Sequence, residues 1–371
     1  MSTVTVEAVE IVRVGLPLVH PFRTVHGDLH TRDVLLVRVV TDAGEGWGEV
    51  SAFTTTGYTA ETVDAAAAAI ERFLAPALVA RAPEDWRELR TRLTGIDGFP
   101  AARCGLEVAF ADARLRAAGT PLAADLGAVR DAVEVGVVVG FEADHAALLD
   151  RIAGHLDEGY GRVKVKIRPG WDREPLTAIR DRFPDLPLQV DANGAYAATE
   201  MRTVRSLDDF DLEMVEQPFP AYDLASHARL VRVARTPVCL DESITSEAAA
   251  RRALSIAACT VVTVKPATVG GLREAIAIHD LCVEAEVPLW CGGMLESGVG
   301  RAASVALAAL PGFTRPADLS ASARYFARDL TEPFVLEGST LRVPTGPGLG
   351  VRVDESVLAS LGAVRRTVAS L

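Results

Sequence analysis

Lysine is nearly missing from this chain. Of 38 basic side chains only Lys164, Lys166 and Lys265 are lysines, and arginine supplies the rest. Either residue serves as solvated charge, but only the lysine amine can be tuned to give up its proton. A chain that takes its charge from arginine keeps lysine where a titratable amine is needed, or else keeps three leftovers of codon bias. Two of the three stand in "GRVKVKIRPG" (161–170), and the third in "VVTVKPATVGG" (261–271).

Other shortages exclude whole classes of function. The five cysteines are scattered, with no CxxC pair, which fits free thiols in a reducing cytoplasm rather than a disulfide framework. Seven histidines without HxH or HExxH spacing give little support to a zinc site. A net charge of −12 and the lack of any long basic run argue against nucleic acid or an anionic membrane as partner. No apolar stretch is long enough for a membrane span. The opening "MSTVTVEAVEIVRVG" lacks a basic segment followed by an apolar one, so no signal peptide is expected.

What is present is a large core in two textures. Hydrophobic residues make up 49% of 371 positions, more chain than one ordinary domain uses. Residues 1–130 read as α+β, with alternating strands near 4–14, 33–40 and 46–52 and "TDAGEG" (41–46) as a hairpin turn. Helical patterns follow near 60–80, 85–94 and 101–118. Over 131–325 short β-branched runs alternate with helix-like stretches. Their conspicuous polar members are Lys166, Asp191, Glu216 and Asp241, 25 residues apart, then Lys265 after 24 more. That interval is one strand, one helix and two loops, the repeating unit of a parallel barrel. The predicted fold class is therefore α/β, a (β/α)-type barrel with an α+β capping domain, which residues 326–371 rejoin.

Strand ends point into the mouth of such a barrel. Asp191, Glu216 and Asp241 close three successive strands, where acids can cap the following helices or hold a hard cation. Three in register favour the cation, Mg²⁺ first and Mn²⁺ as a substitute. Lys166 and Lys265 lie four strands apart, facing each other across that cation, and Lys164 shares a side with Lys166. Its charge, the metal and a closed site should all favour the neutral Lys166 amine. Such parts can abstract a proton α to a carboxylate.

These residues resemble the enolase superfamily, muconate-lactonising subgroup, through "VKVKI", "VDAN", "EQP", "LDES" and the lysine followed by "VGG". "WCGGMLESGVGRAAS" (290–304) and "DLSASARYF" (318–326) narrow the likeness to the o-succinylbenzoate synthases and N-acylamino acid racemases. The resemblance implies a modified (β/α)7β barrel. It also implies Asp191, Glu216 and Asp241 as Mg²⁺ ligands, Lys166 as base, Lys265 opposite, and Lys164 on the substrate carboxylate. Asn193 and Glu242 would support the ligands from behind. Loops at Phe22–Gly27 and Phe53–Tyr58 would close over the substrate, with Phe22 and Tyr58 as apolar walls or as plain cap core, and Phe53 as a further substrate contact. Gly292, Gly293 and Met294 would line its side-chain end, or Met294 would be simple packing. Glu296 and Arg301 stay unassigned, as a buried ion pair or as surface charge.

The implied activity is Mg²⁺-dependent syn dehydration of a succinyl-hydroxycyclohexadiene-carboxylate, a carbon–oxygen lyase step of menaquinone synthesis. The implied setting is a cytoplasmic homo-oligomer taking a small carboxylate substrate. The alternative is racemisation of N-succinyl amino acids on the same site, and a remote one is a barrel kept only for binding. Dipeptide epimerisation is disfavoured because "DLSAS" lacks a second aspartate. One departure matters: racemising relatives read Lys-Pro-Gly-Arg-Val-Gly-Gly where this chain has "KPATVGG", with Ala267 and Thr268.

Overall fold

Apolar alternation opens the chain as a sheet. In the computed structural model, which describes residues 4–24, 27–93 and 95–371, β1 (Val6–Thr24), β2 (Gly27–Thr41) and β3 (Gly44–Val50) form an antiparallel meander. The β2–β3 turn falls within "TDAGEG", where Thr41 Oγ1 donates to the Gly44 carbonyl at 2.8 Å. β1 and β2 run well beyond the expected strands, as a ribbon in which Phe22 pairs with Leu29. Ladder bonds hold that extension, and residues 27–32 on its second strand are mostly exposed and carry no apolar alternation to announce it.

Helix Pro100–Ala117 crosses the sheet at backbone contact. A Cβ on Gly46 or Gly48 would stand 2.1 Å from Ala113 N or the Gly105 carbonyl, so only glycine fits. The helix expected over 60–80 begins at Val63, capped by Thr62, and widens into a π turn at Ile70–Leu74. Pro76, two residues past its end, has no N–H to give to the ladder, which accounts for the irregularity.

After β4 (Ala132–Glu134) the chain alternates strand and helix. β5 (Val137–Val139), β6 (Val163–Lys166), β7 (Leu188–Asp191), β8 (Met214–Glu216), β9 (Val238–Leu240), β10 (Val261–Val264) and β11 (Leu289–Cys291) form one parallel sheet in chain order. They are buried on both faces, as a sheet wrapped by helices must be. Residues 313–318 close the ring without forming a regular strand. Thr314 and Asp318 donate to the carbonyls of Leu289 and Cys291, while Ala317 bonds Glu134 and Gly136. β12 (Thr340–Arg342) then pairs with β4, and β13 (Val364–Ser370) with the outer edge of β1.

Two cap glutamates fasten the layers together at helix N-termini. Glu49 accepts from Ser297 N (3.0 Å), Ser297 Oγ (2.6 Å) and Gly300 N (3.1 Å), where helix Gly298–Ala308 begins. Glu107 accepts from Arg273 N at 2.9 Å, at the start of helix Leu272–Glu284. Each carboxylate meets the positive end of a barrel helix. Among the described residues no helix is long and apolar enough to cross a membrane.

Candidate active site

The barrel register assembles the site. Lys166 stands opposite Asp191 and Asp191 opposite Glu216, so three consecutive strand ends carry amine, acid, acid. Asp241 follows β9 and Lys265 follows β10. β6 and β10 are four positions apart in a ring of eight passes, which sets Lys166 and Lys265 on facing walls. Asn193 (φ 44°) and Gln217 (φ 38°) sit just past two of these strands in the left-handed region, where strain gathers at functional sites.

Each acid is turned onto an amine. Lys166 donates to Asp191 (2.6 Å) and to Asn193 Oδ1 (2.7 Å), and Lys265 donates to Asp241 (2.5 Å). The Lys164 amine lies against Asp318 at 2.6 Å, Glu216 at 2.9 Å and Asp191 at 3.3 Å. This corrects one expectation. Lys164 does not press a bare charge on Lys166, because three carboxylates surround it. Burial opposes charge on Lys164 and Lys265, but the nearby acids outweigh it and hold both amines above their ordinary values. Burial raises Asp191, yet Lys166 and Lys164 bring its carboxyl well below the usual range.

Sequence reasoning passed over Arg162, and noted Asp318 only within the 318–326 motif, without a role. Arg162 donates to Asp318 at 2.7 Å, and Trp290 lies under both Arg162 and Lys164 at 5.3 and 4.7 Å. The alternation that pairs Lys164 with Lys166 also includes Arg162 and could have found it. Asp318 lies on the irregular closing segment, with no strand pattern to show that it faces Lys164 and Arg162. Gln217 was likewise passed over. Its amide oxygen accepts from the backbone of Asp241 (3.0 Å), tying the turn after β9 to β8.

Among the described residues no three acid, thiol or imidazole side chains converge closely enough to enclose a cation. The donor chemistry nevertheless fits one, for Asp191, Glu216 and Asp241 offer oxygen alone at adjacent strand ends. Even with the amines drawn in, burial and the charge of Asp191 push Glu216 up to about 8. Glu242 is pushed up to about 7 by burial and by Asp241. It accepts from Asn193 Nδ2 at 2.8 Å through one oxygen, and its buried second oxygen has no partner. The site holds more negative charge than its lysines comfortably balance.

A cavity of about 250 Å³ opens above these groups. Lys164, Lys166, Lys265, Asp191, Asn193 and Asp318 form its base, and Val138, Gly293, Met294 and Tyr325 its walls. The cap supplies the roof, with Phe22, Leu29, Phe53, Thr54, Thr55 and Tyr58. Val25 and His26, within the expected closing loop, lie outside the described residues. Phe22 meets Tyr325 edge-on at 6.3 Å, and Phe53 lies beneath Arg32 at 4.6 Å. Tyr58 is not the apolar wall expected, since its hydroxyl donates to Asp241 at 2.8 Å.

Glu216, Asp241 and Glu242 sit below the lining, and so does Gly292, which was expected on it. A Cβ there would stand 2.3 Å from Lys265 Cε, so Gly292 makes room for the lysine. Glu296 and Arg301 are both buried but are not bonded as an ion pair. Arg301 donates to the carbonyl of Glu296 (2.8 Å) and packs over Tyr325.

Comparison with known proteins places this geometry. Residues 147–357 match the family described as enolase C-terminal domain-like, and residues 6–127 the N-terminal domain of mandelate racemase/muconate lactonizing enzyme. An N-succinylamino acid racemase from Amycolatopsis sp. is 49% identical over 344 residues, covering 92% of this chain and 94% of the relative. An o-succinylbenzoate synthase from Geobacillus kaustophilus is 42% identical over 353 residues, covering 95% and 94%. A solved enolase superfamily member from Listeria innocua superposes with a TM-score of 0.93 at 37% identity, covering 99% of this chain and all of that one. The chain belongs to the enolase superfamily, in its mandelate racemase/muconate lactonizing branch.

Proposed function

We propose that the protein is an o-succinylbenzoate synthase, dehydrating 2-succinyl-6-hydroxy-2,4-cyclohexadiene-1-carboxylate. The observation that carries this is a pair of amines on facing barrel walls, Lys166 and Lys265, opening on one cavity with acids between them. Asp191, Glu216 and Asp241 would hold Mg²⁺, which when bound supplies positive charge for the substrate carboxylate. Lys164, at the base, faces the same carboxylate. Lys166 takes the proton from the neighbouring carbon and returns it to the departing hydroxide on the same face. Lys265, kept cationic by Asp241, Glu216 and Glu242, stabilises the negative charge that develops. The roof of Phe22 and Phe53 excludes water from the reacting carbons.

A second reading is N-succinylamino acid racemase, favoured by the 49% relative and by an amine on the opposite face. Racemisation requires Lys265 to act as a base too, and its acids hold the proton on. Thr268, half-buried, spends its hydroxyl on the Lys265 carbonyl at 3.1 Å and adds no cation. Both reactions should be assayed on one preparation, with α-deuterium exchange followed for each enantiomer of an N-succinyl amino acid. The expected result is efficient dehydration, with exchange much faster for the enantiomer presented to Lys166. Thr268→Arg should narrow that gap. Fast, equal exchange of both enantiomers in the unmodified enzyme would put the racemase first.

A further inference from the structure

The loop over 53–58 leaves the cap and lowers a phenol into the barrel. Tyr58 Oη donates to Asp241 Oδ2 at 2.8 Å and accepts from the Lys265 amine. That amine donates to the same Asp241 oxygen at 2.5 Å, so the three groups close a triangle. The Tyr58 ring also packs against the amine, with 4.8 Å from Nζ to its centroid. Lys166 is held differently, by Asp191 and Asn193, both from the barrel. One amine is therefore fixed within the barrel, and the other by barrel and cap together.

We propose that Tyr58 is a positioning residue that sets the Lys265 amine from the cap. Chemistry on the Lys265 face then draws on the Tyr58 hydroxyl, whereas the Lys166 amine is held without it. The inference rests on the reading of the two lysines as acting on opposite faces of a carboxylate substrate.

The test uses the Mg²⁺-loaded enzyme and both enantiomers of N-succinylphenylalanine in deuterated water. Lys166→Ala and Lys265→Ala first identify which enantiomer presents its α-hydrogen to which amine. Tyr58→Phe keeps the ring and its edge contact with Phe53 at 6.2 Å, and removes only the hydroxyl. Exchange kcat should fall about tenfold or more for the enantiomer facing Lys265, the scale of one hydrogen bond to a charged group. It should fall by a clearly smaller factor for the other, so that the ratio of the two exchange rates shifts. Equal losses on both enantiomers, or no loss on either, would overturn the proposal. An unmodified enzyme that neither dehydrates nor exchanges would overturn the functional reading and the inference with it, before any variant is made.

Discussion

At the scale of single residues, the sharpest question is why Lys166 is not arginine in a chain that uses arginine almost everywhere else. Lys166→Arg keeps a cation beside Asp191 and Asn193 but removes a proton that can move. Dehydration should fall by about 10²–10⁴, the range of an acid–base group, while the melting temperature stays close to that of the unmodified enzyme. Turnover within about threefold of the original would make the lysine an electrostatic group and move the base elsewhere. Rarity made all three lysines legible, and spacing made the three acids so. Their pairing was not legible, because which carboxylate an amine meets depends on side-chain reach across strands. The strongest partner of Lys164, Asp318, comes from a segment with no period to count. Tyr58 was legible as a cap residue over the pocket, but its hydroxyl contact with an acid 183 positions away was not.

Among the elements, parallel strands announced themselves because each is buried on both faces and reads as a short apolar run. The outer part of the β1–β2 ribbon, beyond the expected strands, and the closing segment 313–318 did not, since their order rests largely on backbone bonds rather than on a periodic apolar pattern. The attachment of cap to barrel was equally hidden, because a glutamate at the start of a distant helix leaves no local pattern. Those attachments carry a testable pH dependence. Burial pushes Glu49 and Glu107 from an ordinary 4.5 up to about 7, although backbone N–H donors pull the other way. Arg32 faces Glu49 and lowers it, Glu296 raises it, and Arg90 and Arg103 act on Glu107. A carboxyl with a raised folded-state value binds its proton more tightly folded than unfolded. Its contribution to stability is therefore full below about 4.5 and is lost as pH rises through about 7. The melting temperature should fall between roughly pH 5 and pH 8, and Glu49→Gln and Glu107→Gln should each flatten that slope. Unchanged slopes in both variants would show that these carboxyls titrate as they do in the unfolded chain.

For the whole molecule, the acids at the barrel mouth pose a problem of assembly that a cation solves. Asp191, Glu216 and Asp241 come from three successive strand-and-helix units, and each is buried and leans on a lysine. A divalent ion held by all three would tie those units together and offset the burial and the Asp191 charge that push Glu216 up. The unfolded chain cannot present the three carboxylates at one point, so binding would favour the folded state alone. At a hundred times the dissociation constant that is worth about 2.7 kcal/mol. In a chain of this size the gain amounts to a rise of a few degrees in melting temperature. Thermal unfolding after exhaustive chelation, then after addition of Mg²⁺ or Mn²⁺, should show that rise in step with recovery of dehydration. Asp191→Asn, Glu216→Gln and Asp241→Asn should each weaken it, because one compensating charge is lost. Asp42→Asn, an exposed change on the β2–β3 turn far from the mouth, should leave it intact. Full activity in chelated enzyme, or a thermal shift that survives all three substitutions at the mouth, would remove the cation from this site. The lysine pairs would then be the resting chemistry of the barrel rather than partners waiting for a metal.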